Sequence, residues 1–446
     1  MDELWTNLGP EVINISYTGS RSIIHRVIQI DFSSISAFLT GFSTYPQPLR
    51  LRLRIFTIFF LYKQTHQAVR KGELSTIMKL VFDKADLVKS VGIAMKAVSG
   101  KTTMPILECI LIDASSNVIK FTSNDMELGI ETIVTGMILE RGIVALDAKI
   151  FSEIVRKLPD NDVVIETDDS FKTTITCEKA KFNIVGKSGE DFSYLPILET
   201  SDCVSISQFT LKELIRQTIF SIAANENNKL MTGELFEIKD NTLRVVSLDG
   251  HRIAIRRIEL KDSYPDRKVV VPGKTLNEIS KILSGEMDDQ IDIYFSENHI
   301  MFKFDDTTVV SRLIDGEYFR IDQMLSSDYE TKVTINKKEF LSCIDRATLL
   351  VKEGDKKPII IDIQDGAMEL QINSAMGSMK EEIDINKEGK DIMIGFNPKF
   401  LIDALRVIDD EEISIYLVNP KAPCFIRNEE ESYIYLILPV NFNSVR

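Results

Sequence analysis

From residue 78 onward, short segments with apolar residues at every second position alternate with longer ones in which apolar residues recur every third or fourth position. Both strands and amphipathic helices are therefore expected. One helical pattern occurs three times. Leu146-Asp-Ala-Lys149 leads into Ile150 to Leu158 and then Asp162-Val-Val-Ile165. Val271-Pro-Gly-Lys274 leads into Thr275 to Leu283 and then Gln290-Ile-Asp-Ile293. Phe396-Asn-Pro-Lys399 leads into Phe400 to Ile408 and then Glu412-Ile-Ser-Ile415. Lys149, Lys274 and Lys399 stand 125 residues apart, with an acid four positions on (Glu153, Glu278, Asp403) and a base seven on (Arg156, Lys281, Arg406).

A second pattern opens each unit. Phe82 to Val98, Ile206 to Ile222 and Val333 to Leu349 each run from a short strand into a helix, with Leu87, Leu214 and Phe340 in register. Between the helices lie short alternating strands at Ile119 to Thr122, Phe182 to Val185, Leu243 to Ser247, His299 to Phe304, Val309 to Ile314, Met368 to Ile372 and Tyr433 to Leu438, separated by turn residues such as Lys239-Asp-Asn241 and Gln364-Asp-Gly366. The expectation is an α+β chain of three tandem domains, each of two strand-helix-strands halves, covering residues 78–199, 200–328 and 329–446.

Composition separates the first 77 residues from this pattern. They carry 8 Lys plus Arg against 5 Asp plus Glu, a charge of +3, whereas residues 78–446 carry 45 against 62, a charge of −17. The apolar part of Leu51 to Tyr62 is too short to span a bilayer and lies too far in for a signal peptide. The extension is expected not to be a folded domain, with the functional chain starting at Met78; a membrane or targeting role for residues 50–62 is the competing reading. Five cysteines (Cys109, Cys177, Cys203, Cys343, Cys424) form no CxxC pair and no His-assisted ligand spacing, so a zinc site and a disulfide framework are not encoded and a reduced, cytosolic protein is expected.

Overall acidity argues against a protein that coats nucleic acid with its whole surface, but the repeat supplies a local alternative. On a helix, positions i and i+7 lie only about 20° apart, so Lys149 with Arg156, Lys274 with Lys281, and Lys399 with Arg406 each share a face. A single such face is ordinarily a solvated one with intrahelical pairs. Three at equal spacing in an acidic chain point to a repeated basic lining for phosphates. No nucleotide-binding loop, GxSxG or HExxH occurs. Asp249-Gly-His251-Arg252 reads as a turn at a strand end; an enzyme using Asp249 and His251, or a monomeric repeat scaffold, remain as competing functions.

The motifs Met78-Lys-Leu, Thr103-Met-Pro-Ile-Leu107, Ser247-Leu-Asp-Gly-His-Arg-Ile-Ala254, Val269-Val-Val-Pro272, Arg312-Leu-Ile-Asp-Gly316 and Tyr433-Ile-Tyr-Leu-Ile-Leu-Pro439 occur in the order found in bacterial DNA sliding clamps. Over residues 78–446 the chain resembles that family, the beta subunit of the replicative polymerase; residues 1–77 have no counterpart in it. The resemblance implies a head-to-tail homodimeric ring with antiparallel sheets outside and twelve helices lining a central hole. The implied ring has no cofactor, metal or catalytic residue. Its implied partners are double-stranded DNA held without sequence preference, a second copy, the replicative polymerase subunit, an ATP-driven clamp loader, repair polymerases, and ligase or mismatch-repair factors. No membrane partner is implied, and the expected location is the bacterial cytoplasm, at the nucleoid.

Carried over position by position, the resemblance places DNA contacts at Lys101, Lys229, Arg252 and Lys274, beside the helix residues Lys149, Arg156, Lys281, Lys399 and Arg406. It places a partner-peptide pocket at Met231, Leu248, Gly250, His251, Arg252, Ile253, Phe319, Gln323, Met324, Pro423, Leu436, Ile437, Leu438, Pro439 and Val440. The loop Asn225 to Leu230 departs from the family pattern, with Lys229 supplying its charge. Phe319 stands where Pro is common and Gln323 where Arg is frequent. The chain also runs on beyond the usual ending, so its last four residues are expected to cover part of the groove.

Overall fold

The computed structural model describes residues 78–100, 102–198, 203–224, 228–326, 328–351 and 357–442. Expectations on residues 1–77, on Lys101, on positions 225–227 and on the last four residues lie outside them.

Each third of the described chain contributes two helices: α1 (Lys84–Ala94) and α2 (Ala148–Lys157), α3 (Gln208–Arg216) and α4 (Gly273–Ser280), α5 (Lys337–Thr348) and α6 (Pro398–Val407). Five begin at a polar side chain that accepts a backbone N–H of the first turn: Asp83, Asp147, Ser207, Asn336 and Asn397. α4 begins at Pro272 without such a cap. It is also shorter than the repeat predicts, ending at Ser280 with Lys281 as its cap, although Leu283 is still buried. The helices pack on one another in pairs. α2 buries Ala148, Phe151, Ser152 and Val155, the i, i+3, i+4, i+7 stripe that leaves Lys149 and Arg156 outside.

Four antiparallel sheets surround the helix pairs. An outer five-stranded sheet runs 137–140, 78–82, 163–167, 172–177, 180–185, and an outer four-stranded one runs 377–384, 367–374, 359–364, 392–396. The other two sheets cross from one third of the chain to the next. Strand Thr307–Arg312 pairs with Leu128–Val134, joining the first and second thirds in an eight-stranded sheet. Strand Tyr433–Ile437 pairs with Arg252–Pro272, joining the second and third in a seven-stranded sheet. The cores follow the sheets across: Leu128 and Ile130 belong to the central hydrophobic cluster, and Ala254 to the C-terminal one.

The two junctions share one register. From the repeat positions Ile293 and Ile415, two cross-strand steps lead through Phe302 to Val309 and through Ile426 to Tyr435. Val309 lies opposite Ile130, and Tyr435 opposite Ala254. The same steps from Ile165 lead through Ile175 to Phe182, which sits on a sheet edge with no strand beyond it among the described residues. Val309 and Tyr435 are 0% and 1% exposed, whereas Phe182 is 39% exposed.

Among the described residues the buried side-chain oxygens without a hydrogen-bond partner are Gln217 Oε1, Ser221 Oγ and both of Glu234, the one that carries a carboxylate. Glu234, on the first strand of the central hairpin, is fully buried and neither carboxylate oxygen has a hydrogen-bond partner. The neighbouring Thr218 hydroxyl gives its proton to Leu214 O at 2.6 Å, so it has none to offer the carboxylate. Burial therefore pushes the Glu234 carboxyl well above the ordinary carboxylate range, despite Thr218. Below that ordinary range both folded and unfolded chains hold the proton and no penalty arises. Above it the unfolded chain loses the proton first, and stability falls as pH rises toward the folded value. Glu234→Gln is thus expected to raise the thermal midpoint, by a margin that grows between pH 5 and pH 9 in melting curves recorded across that range. A constant or shrinking margin would show that Glu234 is not the group responsible.

Candidate functional site

The basic helix positions are solvent-facing. Lys149, Arg156, Lys274, Lys281, Lys399 and Arg406 are all exposed, because each helix turns its apolar stripe to the sheets. Lys149 and Lys399 make no ion pair among the described residues. Lys274 pairs with Asp125, whose side chain is nearly buried, and the others make labile exposed interactions: Lys281 with Glu278 at 2.7 Å, Arg406 with Asp345 at 3.3 Å, and the Arg156 Nε–H with Ser152 O at 3.3 Å. Exposed pairs of this kind are worth only about 0–1 kcal/mol and exchange readily for phosphate. Lys229 is exposed just ahead of Leu230 and Met231, which pack on the apolar cluster described below.

Arg252, which the resemblance places among the DNA contacts, is not exposed like the helix cations. Its side chain is 8% exposed and all its nitrogens are engaged. Nε donates to Asp249 Oδ2 (3.0 Å), Nη1 to Asp403 Oδ2 on α6 (2.7 Å) and Nη2 to Phe220 O (2.5 Å). The guanidinium also lies over the rings of Phe220 and Phe400, 5.3 and 4.5 Å from their centroids. It pins the central and C-terminal thirds together, with each guanidinium nitrogen already engaged by a protein acceptor. Beside it, Arg216 reaches Asp409 at 3.0 Å and Tyr435 Oη donates to Gln217 O at 3.1 Å across the same joint.

The turn Asp249-Gly-His251-Arg252 forms as expected. Gly250 adopts φ +85°, a left-handed conformation that a side chain rarely takes, and Asp249 Oδ1 accepts from the backbone of His251 and Arg252. Among the described residues no hydrogen bond joins the Asp249 and His251 side chains. The imidazole instead stacks on Phe400, 6.1 Å between centroids at 22°.

Along this joint the structure assembles an apolar cluster. Leu248, Ile253 and Leu436 form its floor, with Tyr318 and Ile321; Met231 and Phe319 pack on it, as do Leu230, Ile314 and Leu325, which the sequence did not single out. Met324, Leu438 and Val440 are exposed apolar side chains (45%, 36% and 36%), Gln323 is exposed, and Pro423 and Pro439 are half-buried. The backbone carries Leu438 past the turn, its N–H donating to His251 O at 2.9 Å. Val440 N–H then donates to Gly395 O at 2.8 Å, and the Phe442 ring lies where a Cβ on Gly395 would stand. Ile437 packs in the C-terminal core and not in this cluster: it is 1% exposed, because strand alternation turns it to the opposite face from Leu436. Phe400 and Asp403, missed in the sequence, belong to the site through His251 and Arg252.

The rim is tied down from the central sheet. Asp240 (φ +54°) turns the chain so that Glu237 lies beside Arg244. The Arg244 guanidinium donates to Glu237 Oε2 from Nε (2.7 Å) and to Asp322 Oδ1 on the rim from Nη1 (2.5 Å). The hydrogen bond from Arg244 holds the Asp322 carboxyl below the ordinary carboxylate range.

Sheets that run continuously between three repeated helix-pair domains define a sliding-clamp architecture, and comparison with known proteins agrees. The family models for the DNA polymerase III beta subunit match its N-terminal domain to residues 78–196, its central domain to 205–319 and its C-terminal domain to 322–441. A beta sliding clamp of Staphylococcus aureus is 34% identical over 375 residues, covering 82% of this chain and 99% of its own. A solved structure of a putative DNA polymerase III beta subunit from Eubacterium rectale is 73% identical with a TM-score of 0.80. The Bacillus subtilis sliding clamp is 35% identical with a TM-score of 0.79; each covers 82% of this chain and 100% of the other. The chain belongs to the beta sliding-clamp family of bacterial DNA polymerase III. Among the described residues no helix is long and apolar enough to cross a membrane.

Proposed function

We propose that two copies of this chain close head to tail into a ring around duplex DNA, and that the ring, opened and loaded by an ATP-dependent loader, tethers the replicative polymerase without catalysing any reaction. In this reading the clamp comprises three domains, 78–199, 200–328 and 329–446, and residues before Met78 are no part of it. The observation that carries it is the half-exposed Phe182. Its equivalents at the two internal junctions are buried by a strand from the preceding domain, and among the described residues one strand has the same place as those partners and stands unpaired. Ser123 and Ser247 face Ile130 and Ala254 across their hairpins, as Ile372 faces Met379. Strand Gly377–Asp384 is thus the third member of that set, and it lies on the edge of the four-stranded sheet. Ring closure pairs strand Ala180–Val185 with the same Gly377–Asp384 strand of a second copy. The same register places Lys179 opposite Glu382, a complementary pair, and Lys181 opposite Lys380, which Glu369 already neutralises within its own sheet.

A closed ring needs no strong base or phosphate contact to stay on DNA, so exposed, exchangeable cations such as Lys149 and Lys399 suit it. The groove beside Arg252, apolar in its floor and rimmed by a flexible Met324, suits short peptides of polymerase, loader and repair proteins, with ligase or mismatch-repair factors among them. The direct test loads the protein on primed circular DNA with a clamp loader and ATP, then compares high-salt gel filtration before and after linearisation. Retention on the circle and release from the linear form is the expected result; equal behaviour on both, with an active loader, would sink the ring.

A further inference from the structure

We infer that Arg244 positions the rim of the apolar groove, and through Asp322 sets how tightly that rim closes on a bound peptide. The inference rests on the reading of the groove as a peptide site. Segment Phe319–Met324 is held from below by Ile321, which is 2% exposed in the groove floor, and by Phe319, which packs edge-on against Tyr318 at 5.6 Å. Its backbone bonds are local, from Ile321 to Phe319 (2.9 Å), Gln323 to Arg320 (3.2 Å) and Met324 to Ile321 (2.8 Å). They shape the turn without fixing it to the body. Among the described residues, the one side-chain hydrogen bond that fastens this segment to another element is Arg244 to Asp322.

Arg244 is suited to that task. Its side chain is 13% exposed, and Glu237 holds it in place on the central sheet while Lys268 pairs with the other Glu237 oxygen at 3.5 Å. The charges therefore alternate Lys268, Glu237, Arg244, Asp322 from the sheet to the rim, and the planar guanidinium bridges two carboxylates in fixed directions, which an ammonium does not do. Asp322 precedes Gln323 and Met324, both exposed and so open to contact with a bound peptide. Fixing the carboxylate fixes the two side chains that follow it before a peptide arrives, and a preorganised rim binds more tightly than one that must be ordered on binding.

The test uses the full chain with a fluorescein-labelled peptide of the last ~10 residues of the same organism's replicative polymerase subunit, read by anisotropy, and a spin label on Ser326→Cys to report rim mobility. Asp322→Ala is expected to weaken peptide binding about fivefold, as loss of one partly exposed ion pair implies, and to raise label mobility. Asp322→Glu should recover both, while retention on loaded circular DNA and the melting midpoint stay at wild-type values. Arg244→Gln should reproduce the Ala effect; if that variant folds poorly because Glu237 loses its partner, the Asp322 pair still decides. Unchanged affinity and mobility in Asp322→Ala would overturn the inference. If the wild-type chain binds no such peptide, the groove reading itself fails, and label mobility alone then shows whether Arg244 holds the rim.

Discussion

Phe182→Asp is expected to leave the protein as a 50.6 kDa monomer at micromolar concentration and to abolish its retention on circular DNA. In the proposed ring, the register of the internal junctions would set Phe182 opposite Met379 of the second copy, one apolar pair at the centre of the closing strands. A carboxylate there is taken out of water with no cation facing it and with Glu381 and Glu382 on the opposing strand. An uncompensated charge buried in this way costs several kcal/mol, which weakens dimerisation on the order of a hundredfold or more. Light scattering reads the mass, and the loaded-circle experiment reads the consequence. Register is checked separately with Asn183→Cys and Ser378→Cys, which the same steps place opposite one another across each closing edge. A short bismaleimide should link them into a dimer, while the wild-type chain, whose five thiols are free but mostly buried, should not link. A dimer that survives Phe182→Asp would show that ring closure uses another surface.

The helix repeat made much of this legible before any coordinate. The strand that follows each repeat helix, Asp162 to Ile165, Gln290 to Ile293 and Glu412 to Ile415, puts Ile165, Ile293 and Ile415 at the same fourth position, and those three positions are the ones from which the junction register is counted. Burial periodicity also separated the exposed faces of α2 and α6 correctly, since Phe151 and Leu401 must turn inward if Lys149 and Lys399 turn out. What the sequence hid depends on partners far along the chain. Arg252 looks like any basic residue beside a turn until Asp403, 151 positions away, is brought to its guanidinium. Arg244 and Asp322 are likewise 78 residues apart. Ile437 was a different kind of miss, because period-two alternation along Tyr433–Ile437 already assigns Leu436 and Ile437 to opposite faces. Glu234 carried no signal at all: an acidic residue in a strand ordinarily faces water.

Arg252→Ala is expected to lower the stability of the described body more than removal of any of the exposed helix cations. It deletes the partner of two largely buried carboxylates, Asp249 and Asp403, whose side chains are 15% and 20% exposed, together with the donor to Phe220 O. Breaking a buried pair by deleting one member costs about 3–5 kcal/mol because the other charge stays buried. Lys281→Ala or Arg406→Ala, which break exposed pairs, should cost less than about 1 kcal/mol. Arg252→Lys should recover only part of the deficit, since a single ammonium does not span three acceptors set on the turn, the segment after α3 and α6. The same geometry predicts an opposite ordering for DNA. Replacing Lys149 or Lys399 by Ala should reduce the salt slope of binding to unloaded DNA by about one unit for each phosphate left without its cation, whereas Arg252→Lys should leave that slope at its wild-type value. Calorimetric melting and salt titration of the same variants separate the two roles. A flattened slope with an unchanged melting midpoint in Arg252→Ala would instead return Arg252 to the phosphate-binding set.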